Sequence, residues 1–295
     1  ITAEQKNEIT MFSMSTSGAA SGNHFENLYG SKIYGMEQEA TFAAIDVNYP
    51  LVYHGNQHEI HDVSIGAQTG YSAAGIFGRV ADLTSGEANA SLSVRDLILR
   101  NDRVSGTNVQ NAGMLVGETT KDLTVDGVLA YYHEDSYDET RDSSVEVTAS
   151  ENAGGLIGLV AGGKLDVKNS AAAVYVKGGS AAGGFIGSVT GAETDSTIVQ
   201  SYAGGHTKDG AYSTTDAATN RPVLEGPGRY NVQASGYAGG FIGESSDKVN
   251  MNAVYSTASA YSNDATKSGS FSGNTKAIFG TGNNYYAIGP HNGTE

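Results

Sequence analysis

The sequence predicts an all-β protein, a right-handed parallel β-helix of about six coils with a cap at each end. Three observations predict this fold. A short glycine-rich motif recurs along the 295-residue chain, the shortest interval between two copies contains three strand-like runs, and small residues dominate the motif. Length alone permits two domains, but an array of repeats uses the whole chain as one unit.

The motif consists of small residues, then apolar residues, then a closing glycine. Its copies occupy 74–78, 112–117, 154–158, 183–187 and 239–243, with a degenerate copy at 277–280. The closing glycines lie 29 to 56 residues apart, which indicates repeats with loops of different length. One repeat cannot bury its own hydrophobic face, whereas stacked repeats share a continuous core.

The shortest interval, 158–187, defines the smallest repeat. It predicts three strands, at 156–160, 164–167 and 172–176, because turn-forming residues separate these apolar runs. Glycine and alanine between the strands allow sharp turns and the close approach of neighbouring coils. Apolar residues that we expect to face inward recur in the other repeats, at Leu92, Val94, Leu97 and Leu99; at Leu123, Val125 and Val128; at Ile198, Val199 and Tyr202; and at Val249, Met251 and Val254.

The repeated segments Gly-Gly-Leu-Ile-Gly and Gly-Gly-Phe-Ile-Gly resemble the GLUG motif of large bacterial surface and secreted proteins. These include adhesins and the IgA-cleaving metallopeptidases of the streptococcal type. Residues 50–60 are similar to the coil that often precedes the first motif of that family, and the resemblance covers about residues 45–285. It implies a β-helix in an exported protein, but no particular activity.

The spacing of the motifs divides the chain into three parts. Residues 1–40 lack the motif and are predicted to form an N-terminal cap, because the open end of a solenoid exposes unpaired strand edges. Residues 41–285 form the β-helix, with loop insertions at 131–150 and 205–236. Residues 286–295 form a C-terminal tail.

The two insertions are the predicted binding loops, since extra residues in a solenoid loop out from one edge. The candidate residues are Tyr131, Tyr132, Asp135, Tyr137 and Asp138 in the first insertion and Tyr212 and Tyr230 in the second. Tyrosine rings stack on sugars, while carboxylates accept hydrogen bonds from sugar hydroxyls. Two alternatives stay open, a solvated acidic loop and a calcium site with oxygen ligands.

The composition limits the classes of partner that the protein can bind. Seventeen Lys and Arg against 32 Asp and Glu give a net charge of -15, which disfavours nucleic acid and anionic membranes. The sequence contains no cysteine and no apolar run long enough to cross a bilayer. His58 and His61 resemble part of the zinc-peptidase pattern H-E-x-x-H, but on a strand they point to opposite faces. We expect no cofactor, no metal and no membrane insertion.

The function predicted from the sequence is a non-catalytic region of a bacterial protein that is secreted or held at the cell surface. It acts as an adhesin or displays loops that bind a host glycan or protein, and it belongs to a larger polypeptide. One alternative is a β-helix enzyme that cleaves carbohydrates with a pair of carboxylates on adjacent coils. Another is the substrate-recognition domain of a larger secreted protease.

Overall fold

The computed structural model of the chain contains β-strands and no α-helix within the residues that it describes. The predicted all-β class is confirmed. A single turn of 3-10 helix spans Ala265–Lys267. The described residues are 2–6, 9–10, 41–61, 63–82, 89–132, 147–205, 212–215, 222–224, 230–274, 284–287 and 289–293.

The strands are short, and most have two to five residues. In chain order they are β1 (Thr2–Glu4), β2 (Ile9–Thr10), β3 (Thr41–Ala43), β4 (Ile45–Val47), β5 (Pro50–His54), β6 (Glu59–His61), β7 (Ser64–Gly66), β8 (Ala73–Ala74), β9 (Phe77–Val80), β10 (Ser91–Arg100), β11 (Arg103–Val104), β12 (Asn111–Gly113), β13 (Val116–Thr119), β14 (Asp122–Tyr131), β15 (Val147–Thr148), β16 (Asn152–Gly154), β17 (Ile157–Val160), β18 (Leu165–Lys168), β19 (Ala171–Ala173), β20 (Val176–Gly178), β21 (Ala181–Gly183), β22 (Ile186–Val189), β23 (Thr197–Val199), β24 (Tyr202–Ala203), β25 (Tyr212–Thr215), β26 (Pro222–Leu224), β27 (Val232–Ala234), β28 (Tyr237–Gly239), β29 (Ile242–Ser245), β30 (Asn250–Ser256), β31 (Ala260–Ser262), β32 (Ser268–Gly269) and β33 (Asn284–Ala287).

Four parallel sheets contain all of these strands except β25 and β26, which pair with each other in antiparallel fashion. Sheet 1 has two arms, and the long strands β10, β14 and β30 belong to both. One arm contains β1, β5, β18 and β23, and the other contains β2, β6, β19, β24 and β33. The other sheets, in hydrogen-bonding order, are sheet 2 (β3, β7, β11, β15, β20, β27, β31), sheet 3 (β8, β12, β16, β21, β28, β32) and sheet 4 (β4, β9, β13, β17, β22, β29).

From β5 to β32 the chain visits sheets 1, 2, 3 and 4 in a fixed order. One such circuit is a repeat unit. Each strand pairs in parallel with its counterpart in the next unit, as β14 does with β10 on one side and with β18 and β19 on the other. Sheet 1 also receives β1 and β2 at one end and β33 at the other. Residues from both ends of the described chain therefore extend the same sheet.

The smallest unit contains five short strands rather than the predicted three. The predicted strand 172–176 is two strands, β19 and β20, which belong to sheets 1 and 2. Ala172, Val174 and Val176 are all buried, so the alternation of inward-facing residues continues through the change of direction between the sheets. Periodicity alone therefore does not reveal this corner.

The glycine-rich motif forms the corner between sheets 3 and 4. In the copy at 154–158, Gly154 ends β16 and Ile157 begins β17. A Cβ atom on Gly154 would overlap the carbonyl oxygen of Ile157 and lie 2.6 Å from the amide nitrogen of Gly187 in the next unit. The motif requires glycine here because two backbone segments approach each other too closely for a side chain.

The apolar residue in the middle of the motif stacks along the core. Phe185 and Phe241 are nearly parallel, with ring centroids 4.7 Å apart, and Phe271 follows at 5.0 Å from Phe241. Phe271 lies in a further copy of the motif, 269–273, because Gly269 pairs with Gly239. This copy is not evident from the sequence, because serine occupies two of its positions. The degenerate copy predicted at 277–280 lies outside the described residues.

From β10 onward, sheet 1 bends at one residue in each unit. The residues at the bend have positive φ angles of 48° to 69°, a region that favours glycine, asparagine and aspartate. The bend separates Val94 from Leu97 and shifts the alternation of buried residues by one position. The five bend residues are Asp96, Gly127, Asn169, Gln200 and Ala253.

Candidate functional site

Both predicted insertions leave the body of the protein at the same corner, between sheets 1 and 2. The first follows Tyr132, and the described chain returns to sheet 2 at Val147. The second follows Gly205, and the described chain returns at Tyr230, just before β27. Strands β14 and β24, which lead into the insertions, are the two neighbours of β19 in sheet 1. The insertions are therefore attached on either side of one short strand.

The predicted binding residues fall into three groups. Tyr131 ends β14 and Tyr132 follows it, and both side chains are half-buried. Tyr212 begins β25, the first strand of the antiparallel hairpin in the second insertion, but its side chain is not among those described. Three candidates lie outside the described residues, namely Asp135, Tyr137 and Asp138.

Tyr230 is buried in a small cluster with Tyr261, separate from the main core, and does not lie in an exposed loop. Its side chain is 3% exposed, and its ring packs against Tyr261 with a centroid distance of 5.3 Å. The next residue, Asn231, accepts hydrogen bonds from the backbone and hydroxyl of Ser259 at 3.1 and 2.8 Å. The predicted boundary at 236 is therefore too late, and a ligand at the surface cannot reach Tyr230 without a rearrangement.

Strand β19, which lies between the insertions, consists of three alanines. Ala171 and Ala173 are the partly exposed residues of β19, and Ala172 between them is buried. Ala171 pairs with Leu129 on one side and with Tyr202 on the other. Because larger side chains stand on both neighbouring strands, the surface of sheet 1 forms a trough above β19. We call this surface the alanine trough.

One wall of the alanine trough is the ring of Tyr202. The ring leans along its own strand over Gly204, where a Cβ atom would overlap the phenol group. Its hydroxyl is hydrogen-bonded to the hydroxyl of Thr257 at 3.0 Å. One side of the ring packs against Tyr255, with centroids 4.4 Å apart. Since β24 lies between β30 and β19, the other side faces the trough.

The opposite wall consists of Leu129 and Tyr131 on β14, and the side chain of Leu129 is exposed. Strands β14 and β24 are two strand spacings apart, about 9.6 Å. After the thickness of the two walls is subtracted, the trough has room for about one flat ring. Leu129 and the Tyr202–Tyr255 pair give this face an exposed apolar surface, with Tyr255 at 47% exposure.

Polar groups lie at the bend end of the trough and behind its β14 wall. Behind that wall, on the side away from β19, Arg100 of β10 donates a hydrogen bond of 2.7 Å to Glu59 of β6. Burial raises the pKa of the Tyr131 phenol, and the negative charge of Glu59 raises it further. At the bend in sheet 1, the side-chain amide of Asn169 donates to Asp126 at 3.0 Å. Asp126 and Asn169, at this end of the trough, are placed to hydrogen-bond with the hydroxyls of a ligand.

The position of Tyr202 in the trough differs from the position that the apolar pattern predicts. Tyr202 was expected to face inward with Ile198 and Val199, whereas Ile198 is buried and the other two are partly exposed. The bend at Gln200 exchanges the inward and outward positions between Val199 and Tyr202. A run of three alanines in the smallest unit, followed by tyrosine at the paired position of the next unit, is the pattern that indicates the trough.

Within the described part of the chain, no group of three or more His, Asp or Glu side chains has the arrangement of a metal site. In the same residues, no helix is long and apolar enough to cross a membrane. Comparisons with protein-family models, curated proteins and solved structures find no match.

The pairing register predicts that the second insertion can be removed without loss of the fold. Three residues separate Ala172 from Val176, and the paired residues of the next unit are Ala203 and Val232. Deletion of 205–229 joins Gly204 to Tyr230 and leaves three residues at this corner too. We expect the thermal midpoint to stay within about 5 °C of the wild-type value. Circular dichroism during heating measures it, and a variant without a cooperative transition would contradict the prediction.

Proposed function

We propose that this chain is a non-catalytic binding region of an exported bacterial surface protein, built as a right-handed parallel β-helix with GLUG-like repeats. The recurrent order of four parallel sheets supports a solenoid, because each unit pairs with the next along its whole length. The repeated Gly-Gly-apolar-Ile-Gly segments support the family resemblance. An adhesin or a ligand-displaying protein uses such a stack to carry binding surfaces away from the cell.

The proposed ligand is a neutral glycan bound in the alanine trough. The observation that carries this proposal is the ring of Tyr202, which stands above a floor of two alanines with one side facing the trough. A sugar ring can stack there against Tyr202, and its hydroxyls can bond to Asp126 and Asn169 at the bend in sheet 1. The net charge of -15 disfavours acidic polysaccharides, since both partners would be negative.

The two insertions support the same location. They are attached to the strands that form the walls of the trough, on either side of β19. Loops attached here can contact a glycan that extends beyond the trough, and they therefore suit the selection among glycans. In this proposal the body of the protein supplies the stacking surface and the insertions supply the specificity.

Substitutions in the trough test the proposal. An array of neutral and acidic glycans identifies a bound glycan, and titration calorimetry then measures its affinity for each variant. Ala171→Leu fills the trough and Tyr202→Leu removes the aromatic face. We expect each to weaken binding by about tenfold or more, which corresponds to about 1.4 kcal/mol.

The matched control is Ala265→Leu, because Ala265 is a partly exposed alanine in the 3-10 turn, away from sheet 1. It should bind as the wild type does. Unchanged affinity in Ala171→Leu, or binding confined to acidic glycans, would refute the proposed site. A host protein whose binding is lost in Ala171→Leu, without any glycan signal, would show that the occupant is a protein. Cleavage of the bound glycan, detected by mass spectrometry, would overturn the non-catalytic assignment.

A further inference from the structure

A second surface with the features of a binding site lies at the corner between sheets 2 and 3. In the smallest unit this corner has two residues, Gly179 and Ser180, but in two earlier units it spans 67–72 and 105–110. The first of these long corners contains a turn, in which the amide of Tyr71 donates to the carbonyl of Gln68 at 2.9 Å. Gly70 within the turn has a φ of 86°. The turn presents Tyr71 with 36% of its surface exposed.

Tyr71 separates two cavities. One has a volume of about 450 Å³, and its lining includes Ser72, Thr107 and Gln110 from both long corners. The other has a volume of about 480 Å³, and its lining includes Asp46 and Gln68. Tyr71 lines both cavities, so together they form one cleft with an aromatic ring at its centre. We call it the Tyr71 cleft.

The ring of Tyr71 packs against the guanidinium of Arg79, which forms an ion pair with Asp46. The guanidinium of Arg79 lies 3.6 Å from the ring centroid and 3.6 Å from the Oδ2 atom of Asp46. The Asp46 side chain is only 9% exposed, and its Oδ1 atom accepts a hydrogen bond from the Arg79 backbone at 3.1 Å. Its Oδ2 atom is buried and faces the Nη2 atom of Arg79, which is buried too. The ion pair with Arg79 offsets the cost of burying this charge.

The lining of the cleft favours a neutral ligand. The charges of Arg79 and Asp46 compensate each other, and a cation would meet the guanidinium already placed against Tyr71. The remaining polar groups in the lining are hydroxyls and side-chain amides, as at Asn48, Thr107 and Asn108. Hydroxyls and amides both donate and accept hydrogen bonds, which matches the groups of a sugar.

We propose that the Tyr71 cleft is a second binding site, for a neutral oligosaccharide. One sugar occupies the cavity lined by Asn48 and Gln68 and bonds to their side-chain amides. The chain of sugars crosses the exposed face of Tyr71, and the next sugar bonds to the hydroxyls and amides of the other cavity. This site lies at a different corner from the alanine trough and binds independently of it.

The test uses the full chain and three defined probes, cellotetraose, maltotetraose and the tetramer of N-acetylglucosamine. Saturation-transfer NMR detects binding, and calorimetry measures the affinity. Tyr71→Leu keeps apolar bulk over Arg79 but removes the aromatic face, and Gln68→Ala removes one exposed side-chain amide from the lining. We expect binding of at least one probe, and a loss of affinity of about tenfold or more in both variants.

Tyr49→Leu is the matched control, because Tyr49 is 41% exposed and does not line either cavity. It should bind the probe with wild-type affinity. Comparison of the single variants Tyr71→Leu and Ala171→Leu separates the two sites. Binding that survives Ala171→Leu and is lost with Tyr71→Leu supports the cleft. The absence of binding by all three probes, or binding lost with Ala171→Leu but not with Tyr71→Leu, overturns it, and the second result leaves the alanine trough in place.

Discussion

Replacement of Phe241 by alanine is expected to lower the free energy of unfolding by about 3 to 5 kcal/mol, the range for a phenylalanine removed from a close-packed core. The ring is fully buried and stacks on Phe185 on one side and on Phe271 on the other. Removal therefore leaves a cavity between two units and breaks both stacking contacts. Urea denaturation followed by far-ultraviolet circular dichroism measures the change.

Phe271→Ala is the control, because it removes the same side chain from a position that solvent can reach. Phe271 is 8% exposed, whereas Phe241 is fully buried. The loss should be smaller than for Phe241, since water can enter the space. Hydrogen exchange on each variant shows whether neighbouring units open together or separately, which matters because repeat arrays can lose cooperativity. A loss below about 1 kcal/mol for Phe241→Ala would contradict the stacked core.

The second large effect is expected for Gly183→Ala. A Cβ atom on Gly183 would overlap the carbonyl oxygen of Ile186 and lie 2.6 Å from the amide nitrogen of Gly243. Both atoms belong to the backbone, one in the same corner and one in the next unit. Relief of the overlap requires the corner to open and the pairing of β21 with β28 to shift. We expect destabilisation by more than about 4 kcal/mol, or failure to fold.

Gly106→Ala supplies the comparison for this glycine. The nearest atom to a Cβ there is the Cγ2 of the buried Val109 at 3.1 Å, the end of a side chain, and Gly106 itself is exposed. The change should stay within about 1 kcal/mol. Thermal and urea denaturation of both variants, measured in parallel, decide the matter. Equal stability of the two variants would show that the motif glycines are not required by close approach of the backbone.

The sequence predicted the repeats well because their glycines have a strict steric cause. Each complete copy at 154–158, 183–187 and 239–243 forms the same corner between sheets 3 and 4. The number of strands was predicted less well. Buried residues alternate through the corner between β19 and β20, so no break in periodicity marks it, and the bend in sheet 1 shifts the alternation where no turn was expected.

The candidate sites, too, could be predicted from the sequence only in part. Motif spacing predicts both insertions, since extra length between repeats is visible in the sequence. It did not give their ends, because Tyr230 resembles an exposed loop tyrosine until its packing against Tyr261 is known. The alanine trough and the Tyr71 cleft both depend on which residues of different units pair. That register joins residues 31 or more positions apart, and a single sequence does not contain it.

The corner between sheets 1 and 2 has a practical consequence for protein engineering. A unit with a short connection at this corner stands between units with long insertions. The strands on both sides keep the same pairing. The corner therefore accepts foreign sequence without a change of scaffold. Two peptides grafted after Tyr132 and Gly204 would be anchored about 9.6 Å apart, the width of two strand spacings. This geometry suits the display of paired recognition loops.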